Sequence, residues 1–76
     1  MKFDDAIRLV QLSYEVAQSQ YGRLASPHEG YAVILEELDE LKAEVWKKRP
    51  NRNFGAMRTE AAHVAAMALR FIVELT

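Results

Sequence analysis

The chain has 76 residues, a formal net charge of -1, 28% charged residues and no cysteine. That length holds one domain, spanning residues 1–76, with a core too small for strong independent stability. The missing cysteines exclude a disulfide framework and a thiolate metal site, and the balanced charge argues against nucleic-acid binding by bulk electrostatics.

No strand-like alternation, internal repeat or low-complexity segment is present, and the glycines and prolines fall almost entirely at breaks. The first segment, about Asp4 to Tyr21, places Phe3, Ile7, Val10, Tyr14, Ala17 and Tyr21 at steps of three and four, which predicts an amphipathic helix capped by Asp4. "SPHEGY" is the next start signal: Ser26 caps, Pro27 suits the first helical position and Glu29 completes a capping box. The second helix is expected to run to about Lys48, because Pro50 disfavours helix at the residue before it. After the polar, basic joint "RPNRNFG", a third helix starts near Gly55 or Ala56 and continues to the last residue.

Between Glu60 and Arg70 the third helix carries no charge, and apolar residues lie on every side. Two helices of this size cover only part of such a surface, and Ala61, Ala62, Ala65, Ala66 and Ala68 allow close approach. The expected fold is therefore all-α: a three-helix chain forming an antiparallel bundle, completed by a homodimer or homotetramer. No apolar run is long enough to span a bilayer, and "MKFDDAIRL" carries acids where a signal peptide carries its basic region. A cytoplasmic protein with no membrane and no nucleic-acid partner is the expectation.

At about 100° per residue, Ile34, Leu38, Leu41 and Val45 form one stripe on the second helix. Glu37 and Glu44 flank that stripe, Glu40 lies a little further round and Glu36 further still. On the third helix, Glu60 and His63 share a face with Val64, Met67 and Phe71. Antiparallel packing of the two helices brings Glu37, Glu40, Glu60 and His63 together. Three converging carboxylates repel and raise one another's pKa values, and a divalent cation removes the conflict. Hard oxygen ligands suit magnesium, with manganese the alternative, and magnesium commonly shares its coordination with substrate phosphates. The competing reading is a solvated acidic face with pairs such as Glu44–Lys48, and a core histidine bonded to a carbonyl or hydroxyl.

The segment Glu36, Glu37, Leu38, Asp39, Glu40, followed after nineteen residues by Glu60, resembles the E-E-x-x-E…E-x-x-D pattern of the MazG-like, all-α nucleoside triphosphate pyrophosphohydrolases. "HEGYAVILEELDEL" and "EAAHVAAMALRF" also resemble small phage-type and mobile-element members, so the likeness covers roughly residues 28 to 72. The resemblance implies hydrolysis of a nucleoside triphosphate to the monophosphate and pyrophosphate, with magnesium held by Glu37, Glu40 and Glu60. It implies that Glu36 or Glu44 handles the attacking water. Lys47, Lys48, Arg49 and Arg52 become candidates for the outer phosphates, and Tyr14 and Tyr21 for stacking on the base. His63 departs from the pattern, standing where the family has aspartate, and shifts the ligand set towards manganese, iron or zinc. Many members also have a further helix, which a partner subunit would have to replace.

Two other functions fit the same residues. One is a non-catalytic helical oligomer that keeps the architecture as a binding protein. The other is a transition-metal carboxylate bundle, because Glu60-x-x-His63 matches the Glu-x-x-His pairs of di-iron and di-manganese sites.

Overall fold

A computed structural model describes residues 1–76. Three α-helices, α1 (Phe3–Gln20), α2 (Pro27–Val45) and α3 (Phe54–Leu75), are joined by an extended segment and by a short 3₁₀ turn at Arg49–Asn51. There is no strand, as the periodicity requires.

Local chemistry sets each boundary. At the start of α2 the Ser26 hydroxyl accepts a hydrogen bond from the Glu29 N–H at 3.1 Å. Glu29 reaches back to the Ala25 N–H at 3.2 Å, so the reciprocal box is present but displaced by one residue. Asn53 caps α3, its Oδ1 accepting from the Ala56 N–H at 3.1 Å. Asp4 is not a cap; it lies in the first turn of α1, where its charge suits the helix dipole. α2 ends at Val45, three residues before the expected Lys48. The Arg52 Nε donates to the carbonyls of Val45 and Lys47, at 3.2 and 3.3 Å, and satisfies the helix end as the chain turns.

α3 is the central element. α2 packs antiparallel against one side of it and α1 against another, and α1 and α2 make no close backbone approach to each other. Ala17 of α1, Ala66 and Met67 of α3 form the innermost cluster, with Tyr14, Val33 and Ile34 packed around it. Gly30 sets the α2–α3 distance: a methyl group there would lie 2.6 Å from Phe71 Cδ2 and 2.8 Å from Leu75 Cδ1.

Because α1 rests on α3 alone, only a narrow line of it is covered. Ala17 is buried and Val10 and Tyr14 are half-buried, but Phe3, Ile7 and Tyr21, expected on the same stripe, are exposed. The inward line of α2 is likewise rotated from the apolar stripe. It runs through Gly30, Val33, Ile34, Glu37, Leu41 and Glu44, leaving Leu38 46% exposed. Two glutamates, Glu37 and Glu44, therefore stand on the inward line, each next to a residue, Leu38 or Val45, that hydrophobicity assigns to it.

Candidate metal centre

Of the inward glutamates, Glu37 meets the third helix beside Glu40, which is exposed at the edge of the α2–α3 contact. Glu37 and Glu40 are one turn apart on α2, and Glu60 and His63 one turn apart on α3, so antiparallel packing aligns the two pairs. One ligand atom from each of Glu37, Glu40, Glu60 and His63 lies within 4.8 Å of the others. The His63 Nδ1 sits 3.5 Å from Glu37 Oε2 and 3.5 Å from Glu60 Oε2. These two carboxylate oxygens are buried and accept no hydrogen bond.

A buried acceptor without a donor is costly, by about 1–3 kcal/mol and more when charged. Here the conflict appears in the titration of Glu37, whose pKa is pushed from 4.5 up to about 6. Burial is the largest cause, followed by the close carboxylate of Glu40, with Glu60 adding repulsion and His63 partly offsetting it. Two orphaned oxygens, a third carboxylate and an imidazole directed at both form a donor set that fits a divalent cation.

The remaining expected site residues divide. Glu44 faces α3 but is held by Lys47, Nζ to Oε2 2.8 Å, so the i,i+4 pair expected with Lys48 is an i,i+3 pair instead. The cause is the early end of α2, which carries Lys48 off the helical face. Glu36 is exposed, makes no hydrogen bond or ion pair, and lines a cleft of about 400 Å3 beside Glu37. Lys47 and Arg52 are engaged within the chain, whereas the side chains of Lys48 and Arg49 are exposed and unpaired. Tyr21 lines the same cleft and is 62% exposed; Tyr14 packs on the core and its hydroxyl accepts from Gln18 Nε2 at 3.2 Å.

Arg70 is the residue that sequence reasoning missed. It is 2% exposed and lines the cleft. Its Nε donates to Glu74 Oε2 at 2.8 Å and its Nη2 to the Gly22 carbonyl at 2.9 Å. Glu74 Oε1 in turn accepts from the Leu24 N–H at 2.8 Å. The Arg70 guanidinium holds the Glu74 carboxyl below its ordinary value, with the Leu24 N–H helping against the effect of burial. The pair ties the α1–α2 connection onto α3 and fixes one wall of the cleft. The available signal was spacing: Arg70 and Glu74 lie seven residues after His63 and Met67, on the same helical face.

Comparison with models of known protein families, with curated proteins and with solved structures finds no match to this chain. No helix is long and apolar enough to cross a membrane.

Proposed function

We propose that this chain is a divalent-metal-dependent nucleoside triphosphate pyrophosphohydrolase, converting an NTP or dNTP to the monophosphate and pyrophosphate and working as a homodimer or homotetramer. The observation that carries the reading is the convergence of Glu37, Glu40, Glu60 and His63, with two buried oxygens lacking any donor. The likeness of "EELDE" and Glu60 to the MazG-like pattern supplies the reaction class.

Glu37, Glu40 and Glu60, with His63 as the fourth ligand, would hold magnesium or manganese. The cation supplies charge neutralisation for the phosphate chain and lowers the pKa of the attacking water. Glu36, free and beside Glu37 in the cleft, accepts the proton from that water; Glu44, tied to Lys47, does not. Along α2 the cleft lies on one side of the acids. The basic joint starts about 9 Å beyond Glu40 on the other side. A nucleoside in the cleft, stacked on Tyr21, therefore directs its phosphates past the carboxylates towards Lys48 and Arg49.

One observation favours a second reading. The His63 imidazole faces both carboxylates, a nitrogen donor that suits manganese, iron or zinc better than magnesium, as in a Glu-x-x-His carboxylate bundle. Pyrophosphate release from a panel of ribo- and deoxyribonucleoside triphosphates, with magnesium and manganese in parallel, separates the two. Release that disappears in Glu40→Gln supports the hydrolase. Folded protein that binds iron or zinc and releases no pyrophosphate from any nucleotide overturns it, and silence without metal binding leaves a non-catalytic oligomer.

A further inference from the structure

Only five hydrophobic side chains are buried, Ala17, Leu24, Ala62, Ala66 and Met67, and three of these are alanines. A compact monomer of this mass exposes about 4,700 Å2, whereas this chain of 8.7 kDa exposes 5708 Å2. The surplus of about 1,000 Å2 is close to one partner's share of a standard interface, about 800 Å2. The shape agrees: the radius of gyration is 13.1 Å, against about 11 Å for a compact chain of this length, and the molecule is a slab measuring 40 × 26 × 19 Å.

Apart from the outer surface of α1, where Phe3, Ile7, Leu12 and Val16 are exposed, uncovered apolar surface lies on one face of the α2–α3 pair. On α2, Glu29, Glu36 and Glu40 occupy one flank, and Tyr31, Leu35 and Leu38, 65%, 41% and 46% exposed, occupy the other. On α3, Ala61, Ala65, Ala68 and Ile72 point about 180° away from His63 and Arg70. The two flanks adjoin across a groove of about 390 Å3, walled by Tyr31, Ile34, Ala68, Phe71 and Ile72 and free of charged residues. We propose that this α2–α3 face, opposite the carboxylate cluster, is a homodimer interface on which a second copy of the chain lies face to face, leaving two metal centres open on opposite sides.

A second copy fits for three reasons. The surplus area of the whole chain is of the size that a stable dimer removes from each partner. The face carries charge only at one end, where Lys42 and Arg58 continue the two stripes, and its central groove has none, whereas the acidic flank of α2 against itself would bring like charges together along its length. It is also self-complementary in relief: the ridge of Tyr31, Leu35 and Leu38 on one copy meets the alanine trough of Ala61, Ala65 and Ala68 on the other. The outer surface of α1 offers no equivalent, because Phe3 and Ile7 lie on one flank and Leu12 and Val16 about 180° away on the other.

Sedimentation equilibrium at micromolar concentration tests this, and none of its readouts involves metal or nucleotide, so its outcome is distinguishable from that of the metal-binding and turnover tests. The unmodified chain is expected at twice its 8.7 kDa mass, or a further even multiple. Leu35→Glu with Ala65→Glu should raise the dimer Kd about 100-fold or more, and Leu12→Glu with Val16→Glu should leave it nearly unchanged. Should the first pair unfold because folding and association are coupled, single thiols decide the question, since the chain has no native cysteine. Ala68→Cys should alkylate at least about tenfold more slowly than Leu12→Cys and become equally reactive on dilution. A monomer at every concentration, a dimer that survives the α2–α3 charges, or equal thiol reactivity in concentrated protein would overturn the proposal.

Discussion

Glu37→Gln separates the energetic conflict at the carboxylate cluster from its use. In the folded chain the Glu37 pKa is about 6, above its ordinary 4.5, so the folded state binds more protons than the unfolded one between those values. The sign follows: this contribution to stability is fully present below pH 4.5 and is lost as the pH rises through 6. By pH 7.5 the ionised carboxylate destabilises the metal-free fold by up to about 2 kcal/mol. With the side chain 21% exposed, solvent screening reduces that to about 1–2 kcal/mol. Glutamine keeps the shape and removes the charge. Melted in EDTA at pH 7.5, Glu37→Gln should therefore be the more stable protein by about 4–16 °C, taking about 4–8 °C per kcal/mol for a domain of this size. Manganese at about a hundred times its Kd should stabilise the unmodified chain by about 2.7 kcal/mol. The variant, lacking one ligand and its charge, should gain far less, so the order of melting temperatures reverses on adding metal. A variant that melts below the unmodified chain in EDTA, or that gains equally from manganese, refutes the reasoning.

Arg70→Met should destabilise by about 3–5 kcal/mol in urea titrations, because it leaves Glu74 charged and buried without its guanidinium. Glu74 gives the opposite pH dependence to Glu37: its folded pKa is depressed, so its contribution is present above the unfolded value and lost as pH falls through the folded one. Metal-free stability should accordingly peak at about pH 4.5 in a pH series of thermal melts, and Glu74→Gln should abolish the acid limb. Gly30→Ala should lower stability by about 1–2 kcal/mol despite its better helix propensity, because the methyl group displaces Phe71 and Leu75; a higher melting temperature would show the ring moving freely. His63→Asp should shift metal preference towards magnesium, read as the ratio of magnesium to manganese affinities by calorimetry, and an unchanged ratio would remove His63 from the ligand set.

Much of this architecture is legible in one sequence because it rests on local rules. "SPHEGY" carries the start of α2 in its residue types, and the step of three between Glu37 and Glu40 and between Glu60 and His63 becomes a shared site once a short joint makes the helices antiparallel. What was not legible depends on contacts between distant positions. Arg70 and Glu74 look like an ordinary i,i+4 surface pair until Gly22 and Leu24, some fifty residues earlier, close over them. Leu38 reads as core because hydrophobicity ranks it above Glu37. The close approach allowed by Gly30 instead rotates α2 so that Glu37 faces inward and Leu38 outward. Phe3 and Ile7 read as part of a covered stripe for a similar reason: periodicity states which residues share a face and not how much of that face a neighbour covers.

The most direct measurement is X-ray diffraction from manganese-soaked crystals, collected at a wavelength where manganese scatters anomalously. A single anomalous peak per chain, enclosed by Glu37, Glu40, Glu60 and His63 and absent from Glu40→Gln crystals, is the predicted result. A peak elsewhere, or none at a manganese concentration that saturates binding in solution, would contradict the assignment of these four residues as one metal centre.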